Sequence, residues 1–392
     1  MAKSAEALIN PELLVWARRC AGMQLREASD RLRLAPEKLE AWENGSEHPT
    51  VKQVRTLANV YKQSFAAFYL PRPPAVFRPP LHDYRRLLGA DEPRISPELL
   101  LDIRLSAQRR DVCLELLGDL GEVPPVFHVT TTIRRKPESL ASSLRSLLGV
   151  TMARQQTWNE PRVAFNHWRE AIENIGILVF QSTRVPLDEM RGYSLAEFPQ
   201  PVIVVNRKDT YNGRIFTLLH EFTHLLLRAG GVCDLETQSK LATRERRIEV
   251  FCNHVSGATL VPENDLLDLP NVAKHQGTTW GEDLLDSLSR KFRVSREVVL
   301  RRLLILGRTS QSFYEQKRAE YRKQYERRQR GKARSQGGPS PSVNVVSAAG
   351  KPFVRVVLEA FYAEKLTTSD VSDFLGVKMQ HLQPIGEAVG MG

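Results

Sequence analysis

The run FTLLHEFTHLLL, residues 216–227, constrains this chain more than any other segment. It sets His220, Glu221 and His224 inside an apolar stretch with helical period. Burying imidazoles and a carboxylate without partners costs free energy. Either something binds them, or they are core residues satisfied by hydrogen bonds to neighbouring backbone. Positions i and i+4 of a helix lie on one face, so His220 and His224 can direct two ring nitrogens at a single ion.

Glu221 projects about 100° further round the helix. From there it reaches a water beside the ion rather than the ion itself. H-E-x-x-H is the order in which zinc peptidases place two ligands and a general base. A catalytic centre of this kind needs a third protein ligand. The following helix, RERRIEVFCNHVSGATLV, is the natural source, with Glu245 and Glu249 as candidates and Asp234, Glu236 and His254 behind them. Spacing does not separate Glu245 from Glu249.

Composition narrows the setting. The four cysteines, Cys20, Cys113, Cys233 and Cys252, show no paired spacing, which argues for a reducing cytosol over a disulfide framework. No apolar run reaches membrane-spanning length, and the first residues do not read as a signal peptide. A cytoplasmic location without membrane contact is expected. Of the net charge of +11, a balance of +6 sits in residues 315–334, which hold nine Lys/Arg and three Glu. The basic character therefore describes one helical tail more than the whole protein. Arg322, Lys323, Arg327 and Arg328 in that tail, with Lys38 near the start, are the candidate nucleic-acid contacts.

Four short helices are expected before residue 70. Asn10-Pro11 opens the first, LREASDRL forms the second, Pro36 opens the third, and Thr50 caps the fourth. LPRPPAVFRPPL, residues 70–81, reads as a semi-rigid linker. Amphipathic helices follow, then the short β-branched runs ILVFQ and PVIVVN, with RGYSLAEF as a third strand candidate. The run PVIVVN is a candidate edge for pairing with an extended peptide. The segment LSRKFRVSREVVLRRLLILG has helix-turn-helix character, yet its Leu/Val spacing marks a buried face. The expected fold class is α+β, mostly helical. The expected domains are 1–70, a linker and connecting helix at 71–121, a main domain at 122–310, the basic helix and linker at 311–342, and a small appendix at 343–392.

Residues 8–70, through WARRCAGMQLREASDRL and LEAWENGSEHPTVKQVRTLANVY, resemble the Xre-type helix-turn-helix domain. That resemblance implies a third helix placed for the DNA major groove. Here that helix carries Glu37, Glu40 and Glu43 against Lys38, and Leu25 stands where the family often has a phosphate-contacting Gln. An acidic face repels phosphate, so docking to a protein or dimerisation stands beside DNA binding as an expectation.

RIFTLLHEFTHLLL together with IEVFCNHVSGATLVP resembles the ImmA/IrrE metallopeptidases, and the likeness extends over about residues 8–310. It implies a zincin-like peptidase domain with a small sheet. Matching Asn253 and Pro262 to the family's second segment places the third ligand on Glu249. His220, His224 and Glu249 would then hold Zn²⁺, with Mn²⁺ the other candidate, and Glu221 would be the base. Asn253 would orient a ligand, and His254 is the candidate oxyanion stabiliser. Cys252 reads as a buried small apolar residue. Thr223 replaces a Gly that many members have before the second His. The resemblance implies a protein substrate, a helix-turn-helix repressor whose cleavage releases stress-response or mobile-element genes. The alternative is a non-catalytic DNA-binding regulator, or an antitoxin-like protein, with a structural metal.

Overall fold

The computed structural model describes residues 5–74, 96–228, 242–330 and 340–391, of which 242–245 and 325–330 are described by backbone alone. Most of the linker expected at 70–81, and of the Gly/Pro/Ser segment near 335–342, lies outside the described residues. The chain divides into two compact units, one holding residues 5–74 and 96–108, the other the described residues from 109 onward.

The first unit is helical. Pro11–Cys20, Leu25–Leu32, Pro36–Glu43 and Val51–Tyr61 form where the sequence predicts four helices, the first and fourth with side-chain caps. Asn10 accepts from the Glu12 backbone N–H, and Thr50 with Gln53 forms a reciprocal capping box. Leu14, Ala17, Leu39, Trp42, Leu57 and Phe68 fill its core. Glu43 corrects the expected acidic face. It is turned inward and takes both arms of Arg18 at 2.7 Å. Glu37 and Glu40 do face solvent, and Lys38 is engaged by Glu47.

The second unit is built on a three-stranded sheet in the order β1-β3-β2, with β1 Leu178–Ser182, β2 Gly192–Leu195 and β3 Val202–Asn206. β1 runs parallel to β3, and β2 runs antiparallel to it. The run PVIVVN is therefore the central strand. Both its edges are taken, so it offers none to a peptide, contrary to the expectation from sequence. Every residue of the three strands is buried, which is why β1 and β3 open with apolar runs, Leu178–Phe180 and Val202–Val205, that do not alternate with polar residues. Val179, Ile203 and Val205 join the core beneath the histidine helix, Tyr211–Leu227. Phe180 points the other way and meets Phe353 edge-on at 6.2 Å.

On that side helix Pro341–Ala349 packs against β1 and helix Lys351–Tyr362 supplies Phe353, while Thr368–Leu375 and Leu382–Val389 pack on these two helices. The attachment is polar as well as apolar. Arg169 donates to Glu173 at 2.9 Å and to the Ser347 carbonyl at 2.8 Å. Gln181 donates to the same carbonyl at 2.7 Å, and Arg207 to Asn344 at 2.9 Å. Gly350, at φ 83°, passes so close that a Cβ would lie 2.8 Å from the Glu173 carboxylate. The basic helix Gln311–Arg330 packs its first half down: Tyr314 is buried, Lys317 pairs with Glu282 at 2.8 Å, and Arg296 stacks over Tyr321. Its neighbours Glu282–Phe292 and Arg296–Ile305 turn at Arg293, which adopts φ 56°. Among the described residues, no helix is long and apolar enough to cross a membrane.

Candidate metal centre

Thr210 caps the histidine helix by accepting from the Gly213 backbone N–H. The helix start is held further by Asp209, which pairs with Arg191 at 2.8 Å. Gly213 is required there, because a Cβ would fall 2.4 Å from the Asp209 carboxylate. Twelve of the helix's side chains are buried, His220, Glu221 and His224 among them. Thr223 is buried without a stranded hydroxyl: it donates to the Leu219 carbonyl at 2.8 Å, so its presence is compatible with the helix geometry.

One turn apart, the His220 and His224 Nε2 atoms lie 3.0 Å from each other. Glu249, on helix Ala242–Leu260, brings Oε2 to 3.4 Å from His220 Nε2 and Oε1 to 3.2 Å from His224 Nε2. Among the described residues these three form the one group of His, Cys, Asp or Glu side chains with ligand atoms within 4.8 Å of one another. Zinc–nitrogen bonds of about 2.0–2.1 Å give a tetrahedral edge of about 3.3 Å. The observed separations match that edge. Two imidazole nitrogens and a carboxylate converging in a buried place also call for positive charge between them. The donor set and its spacing therefore fit a divalent ion. The Glu249 side chain is 31% exposed while the histidines are 0% and 3%, so among the described residues the approach is from the glutamate's side.

Glu221 is 1% exposed. Its Oε2 accepts a hydrogen bond from Ser194 Oγ at 3.1 Å. Ser194 lies on β2, and β2 can come this close only because residue 192 is glycine. A Cβ there would sit 2.4 Å from Thr217 Cγ2 and 2.8 Å from the Val204 carbonyl. Sequence reasoning missed Ser194. The signal, a Gly-x-Ser in a strand ahead of the histidine helix, acquires meaning only once the strand is laid on the helix.

The expected helper residues are placed differently. Asn253 is half-buried and bonds to none of the three converging side chains. The contact with His224 Nδ1 comes from Cys252 Sγ at 3.6 Å, a weak partner from a residue expected to be merely apolar. His254 turns to Glu138, 2.8 Å away, and Glu138 also receives both arms of the fully buried Arg302 at 2.7 and 2.9 Å. His254 thus belongs to a charged cluster with Glu138 and Arg302. Burial would raise the Glu138 pKa, but hydrogen bonds from His254 and Arg302 outweigh it and hold the carboxyl below its ordinary value. Asp234 and Glu236 lie outside the described residues, as do the side chains of Glu245, Arg327 and Arg328. Arg322 and Lys323 are exposed on the basic helix, remote in sequence from the centre.

No curated protein matches the chain. Residues 172–304 match the family model of the IrrE N-terminal-like domain, peptidase family M78. That span, about a third of the chain, contains the sheet, both helices that bring His220, His224 and Glu249 together, and the pair of helices that follows. This region is therefore similar to the metallopeptidase domain of the ImmA/IrrE type.

Proposed function

We propose that this protein is a metal-dependent, site-specific endopeptidase in which His220, His224 and Glu249 hold Zn²⁺, or Mn²⁺ in its place, and Glu221 is the general base. The observation that carries this reading is the convergence of three ligand atoms, 3.0–3.4 Å apart, beside a buried carboxylate. A purely structural metal needs no such carboxylate, and burying one has a cost. A divalent ion in this place would supply Lewis acidity, polarising a peptide carbonyl and making water acidic enough to attack near neutral pH. The chain's own part is proton handling. The Glu221 carboxylate takes the proton of the attacking water and returns it to the departing amine nitrogen. Ser194 fixes one carboxylate oxygen, so the other is aimed for that transfer.

The substrate in this reading is a helix-turn-helix transcriptional repressor, whose cleavage would derepress stress-response or mobile-element genes. The N-terminal unit would bring enzyme and repressor together. Exposed Glu37 and Glu40, with Lys38 already engaged by Glu47, favour docking to a protein over docking to a duplex. Co-expression with the repressor encoded beside it tests the proposal. Native protein should yield two fragments and Glu221→Gln none, while both retain about one equivalent of metal, since ligand binding does not require the base. A Glu221→Gln form that still cleaves, or that keeps the full biological effect, would sink the enzyme reading in favour of a non-catalytic regulator.

A further inference from the structure

The helix Ala242–Leu260 has a second usable face beside the one that carries Glu249. Arg246, Val250 and His254 recur at four-residue steps and so form a stripe about 100° round from Glu249. Val250 is 53% exposed, which is high for an aliphatic side chain in a folded unit, and Phe251 beside it is nearly buried. Ile133 and Pro137 face this stripe, and the groove between them measures about 410 Å³. Its wall is tied to the histidine helix, since the Thr131 backbone N–H donates to the Leu226 carbonyl at 2.8 Å. The floor is apolar. The rim carries Arg246 and Arg247, both exposed and without an ion pair among the described residues. The His254 ring at the far end is already matched by Glu138, so among the described residues the charge left on the rim is positive.

We propose that this groove is a specificity subsite for a substrate segment in which an apolar side chain stands next to a carboxylate. The inference rests on the peptidase reading above. Groove and centre share one helix, whose diameter is about 10 Å. An extended chain covers that in about three residues, so the recognised pair lies about that far from the scissile bond. The apolar side chain covers Val250 and Phe251. The carboxylate meets the guanidinium rim, where forked donors recognise it by two parallel hydrogen bonds.

The test is direct binding, which does not depend on turnover. Zinc-loaded full-length Glu221→Gln protein is titrated at low salt with three fluorescein-labelled peptides that differ only in a central Leu-Glu-Glu, Leu-Gln-Gln or Ser-Glu-Glu. The first should bind about fivefold more tightly than the second, the size expected for exposed charge pairs, and also more tightly than the third. Arg246→Glu combined with Arg247→Glu should abolish or invert the preference for Glu over Gln. These side chains are exposed, and an unchanged circular dichroism spectrum would verify folding. Equal binding of the three peptides, binding of none, or a preference that survives charge reversal would overturn the subsite. Repressor cleavage by native protein is scored separately, so failure of the groove and failure of the peptidase reading give different results.

Discussion

At the scale of single residues, the centre depends on side chains of two kinds. His220 and His224 owe their meeting to a four-residue offset on one helix, a relation written in the sequence itself. Ser194 owes its meeting with Glu221 to a strand 27 residues earlier in the chain, and no local pattern encodes that. Ser194→Ala removes the hydrogen bond to Glu221 Oε2 and loosens its orientation. We expect kcat to fall about 10- to 100-fold, the range typical of partners that orient a working side chain, with KM and metal content unchanged. Steady-state kinetics on the repressor with parallel elemental analysis would measure it. A drop in metal content equal to the drop in rate would instead show that Ser194 shapes the ligand set.

At the scale of elements, the helix carrying Glu249 must stay fixed against the histidine helix. Part of that fixing is the cluster of Glu138, His254 and Arg302, which joins the helix Pro137–Leu147 to two others. Glu138→Gln leaves the fully buried Arg302 guanidinium without its charge partner. Because the Glu138 side chain is 30% exposed, the loss should be about 2 kcal/mol, below the usual range for a wholly buried pair, and visible as a lower Tm. Glu138 titrates below its ordinary 4.5, so its contribution is fully present above that value and fades as pH falls through the lower folded one. The Tm gap between native and Glu138→Gln proteins should therefore be widest near pH 6 and close towards pH 3. A constant gap would mean that the cluster is held by shape rather than charge. Element placement also explains one misreading and one choice that spacing left open. A β-branched run looks the same whether its strand lies at an edge or in the middle, so PVIVVN gave no sign of being central. The period of the second helix admits both Glu245 and Glu249, and among the described side chains it is Glu249 that the docked helix brings to the two histidines.

At the scale of the molecule, residues 341–391 are more than an appendix. Helix Pro341–Ala349 meets the edge strand β1, Phe353 of the next helix meets Phe180, and Arg169 of the buried Arg169–Glu173 pair donates to the Ser347 carbonyl. Removing residues 340–392 should expose Phe180 and β1 and yield protein that aggregates on expression, as an uncovered apolar edge does. Solubility after expression and Tm by scanning fluorimetry would reveal this. A truncated chain that stays soluble with native Tm would mean that the packing contributes nothing. The sequence by itself determined the helix order, the caps, the α+β class and the pair of histidines with its glutamate, because each follows from offsets of a few residues. Only tertiary structure decided which strand is central, that Ser194 holds Glu221, that His254 serves Glu138, and that Glu43 turns inward to Arg18. The three side-chain relations join residues 25 or more positions apart, and both they and the strand order are selected by how whole faces pack, information that no local spacing contains.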